Sequence, residues 1–217
     1  MPPLAIAYEI VVDDLFQENT YIVHLPERDD CVIVDPGLNP DRIVEQITQL
    51  GKQPVAIINT HGHADHIAGN AYLKQEWPDI PLVIGEGDAY KLGDPVANLS
   101  ANYGFDLISP PADRTVREGD SLEVAGVCWH VRETPGHSAG HVVFIAKEAA
   151  PPLVLGGDVL FQGSIGRSDF PDGDFAALAS SIKEKLYTLP DETIVLPGHG
   201  PETRVGVEKR SNPFVRG

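Results

Sequence analysis

The chain has 217 residues, 42% hydrophobic and 22% charged, the composition of a globular protein rather than a disordered one. Its 32 acidic residues outnumber 16 Lys and Arg, and a formal charge of −16 repels nucleic-acid phosphates, which argues against that partner. No apolar run approaches the ~20 residues that cross a bilayer, and "MPPLAIAYEIVVDD" lacks the basic start and cleavage site of a secretory leader, so a cytoplasmic protein with no membrane partner is expected. In chain order, "LAIAYEIVV", "TYIVHL" and "CVIVD" are β-branched runs separated by turn residues and predict an opening set of strands. "NPDRIVEQITQLG" predicts a helix with Asn39 as N-cap, Pro40 in the first turn, apolar residues at 43, 44, 47 and 50, and Gly51 as the stop. The strand "PVAIIN" follows, then a histidine cluster, then a helix over "IAGNAYLKQEW" ended by Pro78. "LVIG" predicts a strand, and the weakly patterned residues 85–118 a helical turn and a long loop. "AGVCWHVRETPG", "HVVFIA", "PLVLGGD" and "TIVLPG" predict further strands. Between the last two, Asp174 caps a helix with Phe175, Leu178, Ile182 and Leu186 on one face. Strands alternating with helices predict one α/β domain over 1–217, with helices covering the sheet faces. Cys31 and Cys128 sit in apolar runs without C-x-x-C spacing and are expected to be buried, unpaired thiols.

The cluster "HGHADH" places His61, His63, Asp65 and His66 in six consecutive positions after an apolar strand. Three more candidate ligands occupy equivalent places: His137 follows "RETPG", Asp158 follows "LVLGG" and His199 follows "VLPG". In α/β sheets, ligand sites form beyond the carboxyl ends of strands, so side chains distant in sequence are brought to one edge. Imidazole and carboxylate are suitable donors for borderline divalent metals, and no thiolate is required. His61 and His63, two positions apart on an extended segment, point to the same side, whereas Asp65 and His66 follow a change of direction and are placed for a second ion. Asp65 alone also reads as a helix N-cap. His24 and His130 lie within strand-like runs and read as structural, and His141 is placed to orient a metal ligand from behind.

"THGHADH" matches the H-x-H-x-D-H signature of the metallo-β-lactamase fold superfamily, and "TPGHSAGH", "GGDVLF" and "LPGHG" match its later ligand motifs in order. Within it the chain most resembles short bacterial glyoxalase II-like hydrolases, "GSIGRSDFPDGD" being similar to their characteristic loop. The resemblance implies a four-layer αβ/βα sandwich, two mixed β-sheets flanked by helices. It implies one divalent ion on His61, His63 and His137, a second on Asp65, His66 and His199, and Asp158 bridging them. Zinc is the expected metal, and iron and manganese suit the same donors. True class B β-lactamases usually carry Arg in place of His66, and flavodiiron proteins carry Glu in place of His63.

The implied chemistry is hydrolysis by a metal-activated hydroxide, since coordination lowers the pKa of water from 15.7 to roughly 7. Two dications against Asp65 and Asp158 leave the site locally positive, so a small anionic thioester such as a glutathione conjugate is the expected substrate. Full-length glyoxalase II grips glutathione with a basic C-terminal domain, whereas here only Arg204, Lys209, Arg210 and Arg216 follow His199. Arg167 offers a cation for substrate positioning, and Asp169 offers that cation an ion-pair partner. Tyr72, Tyr90 and Tyr103 are candidates for the pocket wall. A mononuclear-iron persulfide dioxygenase, which uses the positions of His61, His137 and Asp158, is the alternative on the same fold, but "LPGHGP" resembles the hydrolases. A lactonase and a non-catalytic metal-binding module are further alternatives. A monomer or small homo-oligomer is expected.

Overall fold

In the computed structural model, which describes residues 4–217, two six-stranded sheets pack face to face between helices. Met1–Pro3, part of the stretch searched above for a leader, lie outside the described residues. The first sheet is ordered β1 (Ala7–Val12), β2 (Asn19–His24), β3 (Asp30–Val34), β4 (Gln53–Asn59), β5 (Leu82–Gly85) and β6 (Arg114–Val116). Its first two pairings are antiparallel and the rest parallel. The second sheet contains β7 (Ser121–Val124), β8 (Val127–Glu133), β9 (Val142–Ala146) and β10 (Leu153–Gly157). A small hairpin, β11 (Leu160–Phe161) with β12 (Ser164–Ile165), precedes its remaining members, β13 (Ile194–Pro197) and β14 (Thr203–Arg204). Strand order there is 14-13-10-9-8-7, with β10 and β13 parallel.

The near-continuous apolar runs follow from burial on both faces of each sheet. One set of alternating side chains, including Val23, Val32, Ile58, Trp129, Phe144 and Leu155, fills the space between the sheets. The opposite set of the first sheet, Ile22, Ile33 and Ile57, packs under Ile43 and Ile47 of α1 (Pro40–Leu50) and Leu73 of α3 (Asn70–Glu76). The opposite set of the second sheet, Val143, Ile145 and Val154, packs under Leu178 of α4 (Phe175–Ser181) with Ile182 and Leu186. This is the expected αβ/βα sandwich. Among the described residues, no helix is long and apolar enough to cross a membrane.

Several local expectations are corrected. Asn39 does not cap α1 with its side chain, which instead accepts from the Asp14 backbone N–H at 3.0 Å. The helix expected over 67–77 is broken: α2 (Ala64–Ile67) ends before Gly69, whose N–H bonds Pro36 O at 2.8 Å, and α3 starts afresh. Asp65 lies inside α2 and is not its cap. Residues 85–118 form two 3-10 segments, Glu86–Gly93 and Ser100–Tyr103, and also supply β6. The strand expected from 125 is the second arm of a hairpin with β7, turning at Ala125 and Gly126 with φ of +49° and +76°. Phe175 sits in the first turn of α4 and is 53% exposed, so it does not join the buried face of Leu178, Ile182 and Leu186. Beyond His199 the chain adds β14 and α5 (Val205–Ser211). Both cysteines are free; Cys31 is buried, while Cys128 is only half-buried.

Candidate metal centre

Four strand ends supply the centre. β4 continues through Thr60 into His61 and His63, β8 precedes His137, β10 ends directly before Asp158, and β13 ends two residues before His199. The first belongs to one sheet and the other three to its partner, so the site lies where the two sets of strand ends meet. The seven predicted side chains converge there. The ring of His61 is centred 4.7 Å from His63, 4.8 Å from His137 and 4.2 Å from His66, and His66 lies 5.5 Å from His199. Donor atoms fall within 4.8 Å of one another in three groups: His61–His63–His137, Asp65–His66–His199 and His61–His66–Asp158. The first two groups are the two expected ligand sets. Asp158 stands between them, with Oδ1 3.5 Å from His66 Nε2 and Oδ2 3.4 and 3.6 Å from Nε2 of His137 and His199. Asp65 Oδ2 lies 3.3 Å from His199 Nε2.

Four of the five candidate ligand histidines are held from behind, which fixes the nitrogen each presents, whereas His63 Nδ1 faces His137 Nε2 at 2.9 Å. His137 Nδ1 donates to Arg167 O at 2.7 Å, and His199 Nδ1 to Gln17 O at 3.2 Å. His61 Nδ1 contacts Thr60 Oγ1 at 3.1 Å. His66 Nδ1 lies 3.2 Å from Asp35 Oδ2, while Asp35 also accepts the Thr60 N–H and hydroxyl, each at 2.7 Å. His141 accepts the Asp158 backbone N–H at its Nε2 (3.1 Å), contacts Thr134 Oγ1 through Nδ1 (3.0 Å) and stacks on His61. It thus holds the backbone of Asp158 in place. Asn19 anchors the turn bearing His199, its side-chain amide donating to Pro197 O at 3.0 Å and Gly200 O at 2.8 Å.

Several inward-facing atoms are left without hydrogen-bond partners. His61 Nε2, His66 Nε2 and Asp158 Oδ1 are buried and make no hydrogen bond. Buried polar atoms are seldom left so, and a divalent cation bound by imidazole and carboxylate satisfies all of them. The donor set therefore fits the metal that the sequence implies. Burial pushes His61 and His63 well below the ordinary imidazole pKa, with neighbouring imidazoles adding to the effect, and burial also lowers His137. Burial would likewise depress His66, but Asp65, Asp158 and Asp35 hold it well above that value. His199 is raised against burial by Asp65 and Asp158. Asp65, despite burial, is held well below the usual carboxylate range by His66 and His199. One half of the centre is thus a set of neutral imidazoles, and the other a mixed imidazole–carboxylate set.

A cavity of about 230 Å³ opens over these groups, walled by Phe16, Leu99, Tyr103, Phe161 and Phe170, with Arg167 among its lining residues. The Arg167 guanidinium pairs with Asp169, its Nη2 3.1 Å from Oδ2, and lies 4.5 Å over the Phe170 ring. Tyr103 lines the cavity; Tyr72 and Tyr90 do not. His24 on β2 and His130 on β8 stay outside the cluster. Asp35 was missed, although it follows an apolar strand just as the ligands do. Asp88, Asn19 and the aromatic walls carry no comparable signal.

Gly157 shows how closely the ligand loops approach. It has φ +47°, and a Cβ there would run into Thr60 Oγ1 and His141 Nε2. Gly157→Ala is expected to destabilise the fold by about 3 kcal/mol, from backbone strain and overpacking together. A lowered urea midpoint at unchanged m-value checks this.

Residues 13–199 match the Metallo-beta-lactamase superfamily. The chain is 41% identical over 202 residues to the probable metallo-hydrolase YqgX of Bacillus subtilis, covering 93% of each. It is 36% identical over 209 residues to the hydroxyacylglutathione hydrolase GloC of Haemophilus influenzae, covering 95% of this chain and 97% of that one. Among solved structures, it resembles the BLEG-1 B3 metallo-beta-lactamase with a TM-score of 0.92 at 33% identity, covering 97% and 100% of the two chains. It also resembles TTHA1623 in a di-iron-bound form, with a TM-score of 0.82 at 39% identity and coverage of 95% and 100%. By its matched sequence, its two-sheet sandwich and its convergent His and Asp side chains, the chain belongs to the metallo-beta-lactamase superfamily.

Proposed function

We propose that this chain is a dinuclear metal-dependent hydrolase of the glyoxalase II type, cleaving a small thioester such as a glutathione conjugate. The observation that carries this reading is the convergence of seven donors around unpartnered buried atoms. Similarity to a hydroxyacylglutathione hydrolase over nearly the full chain supports the substrate class. His61, His63 and His137 would hold one ion, Asp65, His66 and His199 the other, and Asp158 both. Bound divalent ions supply water of lowered pKa and polarise a carbonyl. The remaining work falls to the chain. His141 and Asp35 keep Asp158 and His66 oriented, and the aromatic walls exclude bulk water from the scissile group. Arg167 at the cavity edge offers a cation to an anionic substrate by exchanging its surface pair with Asp169, a weak interaction at such exposure. Zinc is the proposed metal because the donors combine imidazole and carboxylate; the same donors accept iron.

The "LPGHGP" turn that bears His199, together with the similarity to a hydroxyacylglutathione hydrolase, favours the dinuclear hydrolase over the mononuclear-iron dioxygenase. The test is a substrate panel with the zinc-loaded and the iron-loaded protein. Hydrolysis of S-lactoylglutathione well above that of a cephalosporin, without oxygen uptake on glutathione persulfide, is expected. Oxygen uptake with persulfide and no thioester cleavage would overturn the reading.

A further inference from the structure

Beside the centre lies a buried ionic chain that belongs to neither ligand set. Lys91, in the 3-10 segment Glu86–Gly93, is fully buried. Its ammonium lies 3.3 Å from Asp88 Oδ1 and donates to Asp172 Oδ2 at 2.6 Å. Burying a lysine is costly unless its charge is paired, and here both partners also serve other segments. Asp88, itself fully buried, accepts the Gly62 N–H at 2.9 Å, the Ser138 hydroxyl at 2.6 Å and the Gly140 N–H at 2.8 Å. Asp172 accepts the Ala139 N–H at 3.1 Å. The Lys91 stem fills the space in front of Gly62, where a Cβ would meet Lys91 Cβ at 2.7 Å.

These contacts are all on one side of the centre. Gly62 separates His61 from His63, and residues 138–140 directly follow His137. Asp172 belongs to the loop whose Arg167 carbonyl fixes His137 and whose Phe170 ring packs 5.1 Å from His63 and 5.5 Å from His137. The Asp65–His66–His199 set is instead held by Gln17 and Asn19, and by Asp35, which also reaches His61 through Thr60. Resting on the ligand sets proposed above, we infer that Asp88, Lys91 and Asp172 are positioning residues for the His61–His63–His137 half alone, so that this triad tunes one metal position and not the other. Lys91 is the tie: it draws the 166–173 loop against both ligand turns through one ammonium.

The test reads zinc affinity by chelator competition in two backgrounds. His199→Ala impairs the second set and leaves the first; His63→Ala does the reverse. Adding Asp172→Ala to the His199→Ala protein is expected to weaken its remaining zinc about tenfold or more, the usual cost of losing a support behind a metal ligand. Adding it to the His63→Ala protein leaves that zinc affinity unchanged. Lys91→Met acts in the same direction and more strongly, because it leaves Asp88 buried and unpaired; should that variant not fold, Asp172→Ala decides. Lys185→Met, which cuts the outlying pair with Glu118 (2.9 Å), changes neither affinity. Equal weakening in both backgrounds, or none in the His199→Ala protein, would overturn the inference while leaving the dinuclear centre standing. Absence of zinc binding by the unmutated protein would remove the centre itself and the inference with it.

Discussion

Asp158→Ala is expected to lower kcat/KM for the thioester by about a thousandfold or more, equivalent to ~4 kcal/mol of transition-state stabilisation. The size of the effect follows from position. Asp158 reaches His66 on one side and His137 and His199 on the other, so its loss removes a donor from both proposed metal positions. Its sequence neighbours cannot replace it, because Gly157 and Val159 carry no metal-ligating atom. Asp158→Asn keeps the shape and removes the charge, and is expected to lose nearly as much. Both variants should fold, since Asp158 makes no side-chain hydrogen bond that supports another segment. Steady-state kinetics with metal content measured in the same samples checks the expectation. Wild-type turnover in Asp158→Ala would remove the residue from the centre.

Stripping both metals with a strong chelator is expected to lower Tm by roughly 15–30 °C. Binding to the folded chain alone stabilises it by ~4 kcal/mol per site when free metal exceeds Kd about a thousandfold, and at this chain length each kcal/mol moves Tm by about 2–4 °C. The direction follows from the centre's own physics. Without a cation, buried atoms of His61, His66 and Asp158 lack partners, and the Asp65 and Asp158 carboxylates face one another's neighbourhood in a chain that already carries a formal charge of −16. Thermal unfolding of the stripped protein and of the same sample after zinc is restored measures both halves of this statement. An unchanged Tm would mean that the cluster does not bind metal in the folded state.

The ligands were legible because they obey a rule that leaves a mark in sequence: an apolar strand, then a glycine, proline or threonine, then a donor. β4, β8, β10 and β13 all carry it, and the seven side chains meet as the pattern implied. The sandwich was legible for a related reason. Strands such as "CVIV" and "VVFIA" are apolar at every position because each is buried on both faces. What stayed hidden depends on contacts between distant segments. Asp88 lies in a weakly patterned stretch, and its role comes from Gly62, Ser138 and Gly140, none of them near it in sequence. The break between α2 and α3 arises from Gly69 docking on Pro36, a contact that helical periodicity does not report. β6 and β14, at three and two residues, are too short to show any period, and they exist because a neighbouring strand offers an edge. Phe175 belongs to the helical stripe by spacing alone; its place in the first turn leaves it largely exposed.

Anomalous diffraction from crystals of the zinc-loaded protein, collected on both sides of the zinc absorption edge, tests the centre most directly. Two peaks are predicted, one bonded to His61, His63 and His137 and the other to Asp65, His66 and His199, with Asp158 bonded to both. No peak at these residues, or full occupancy of a single position with the second set turned away, would contradict it.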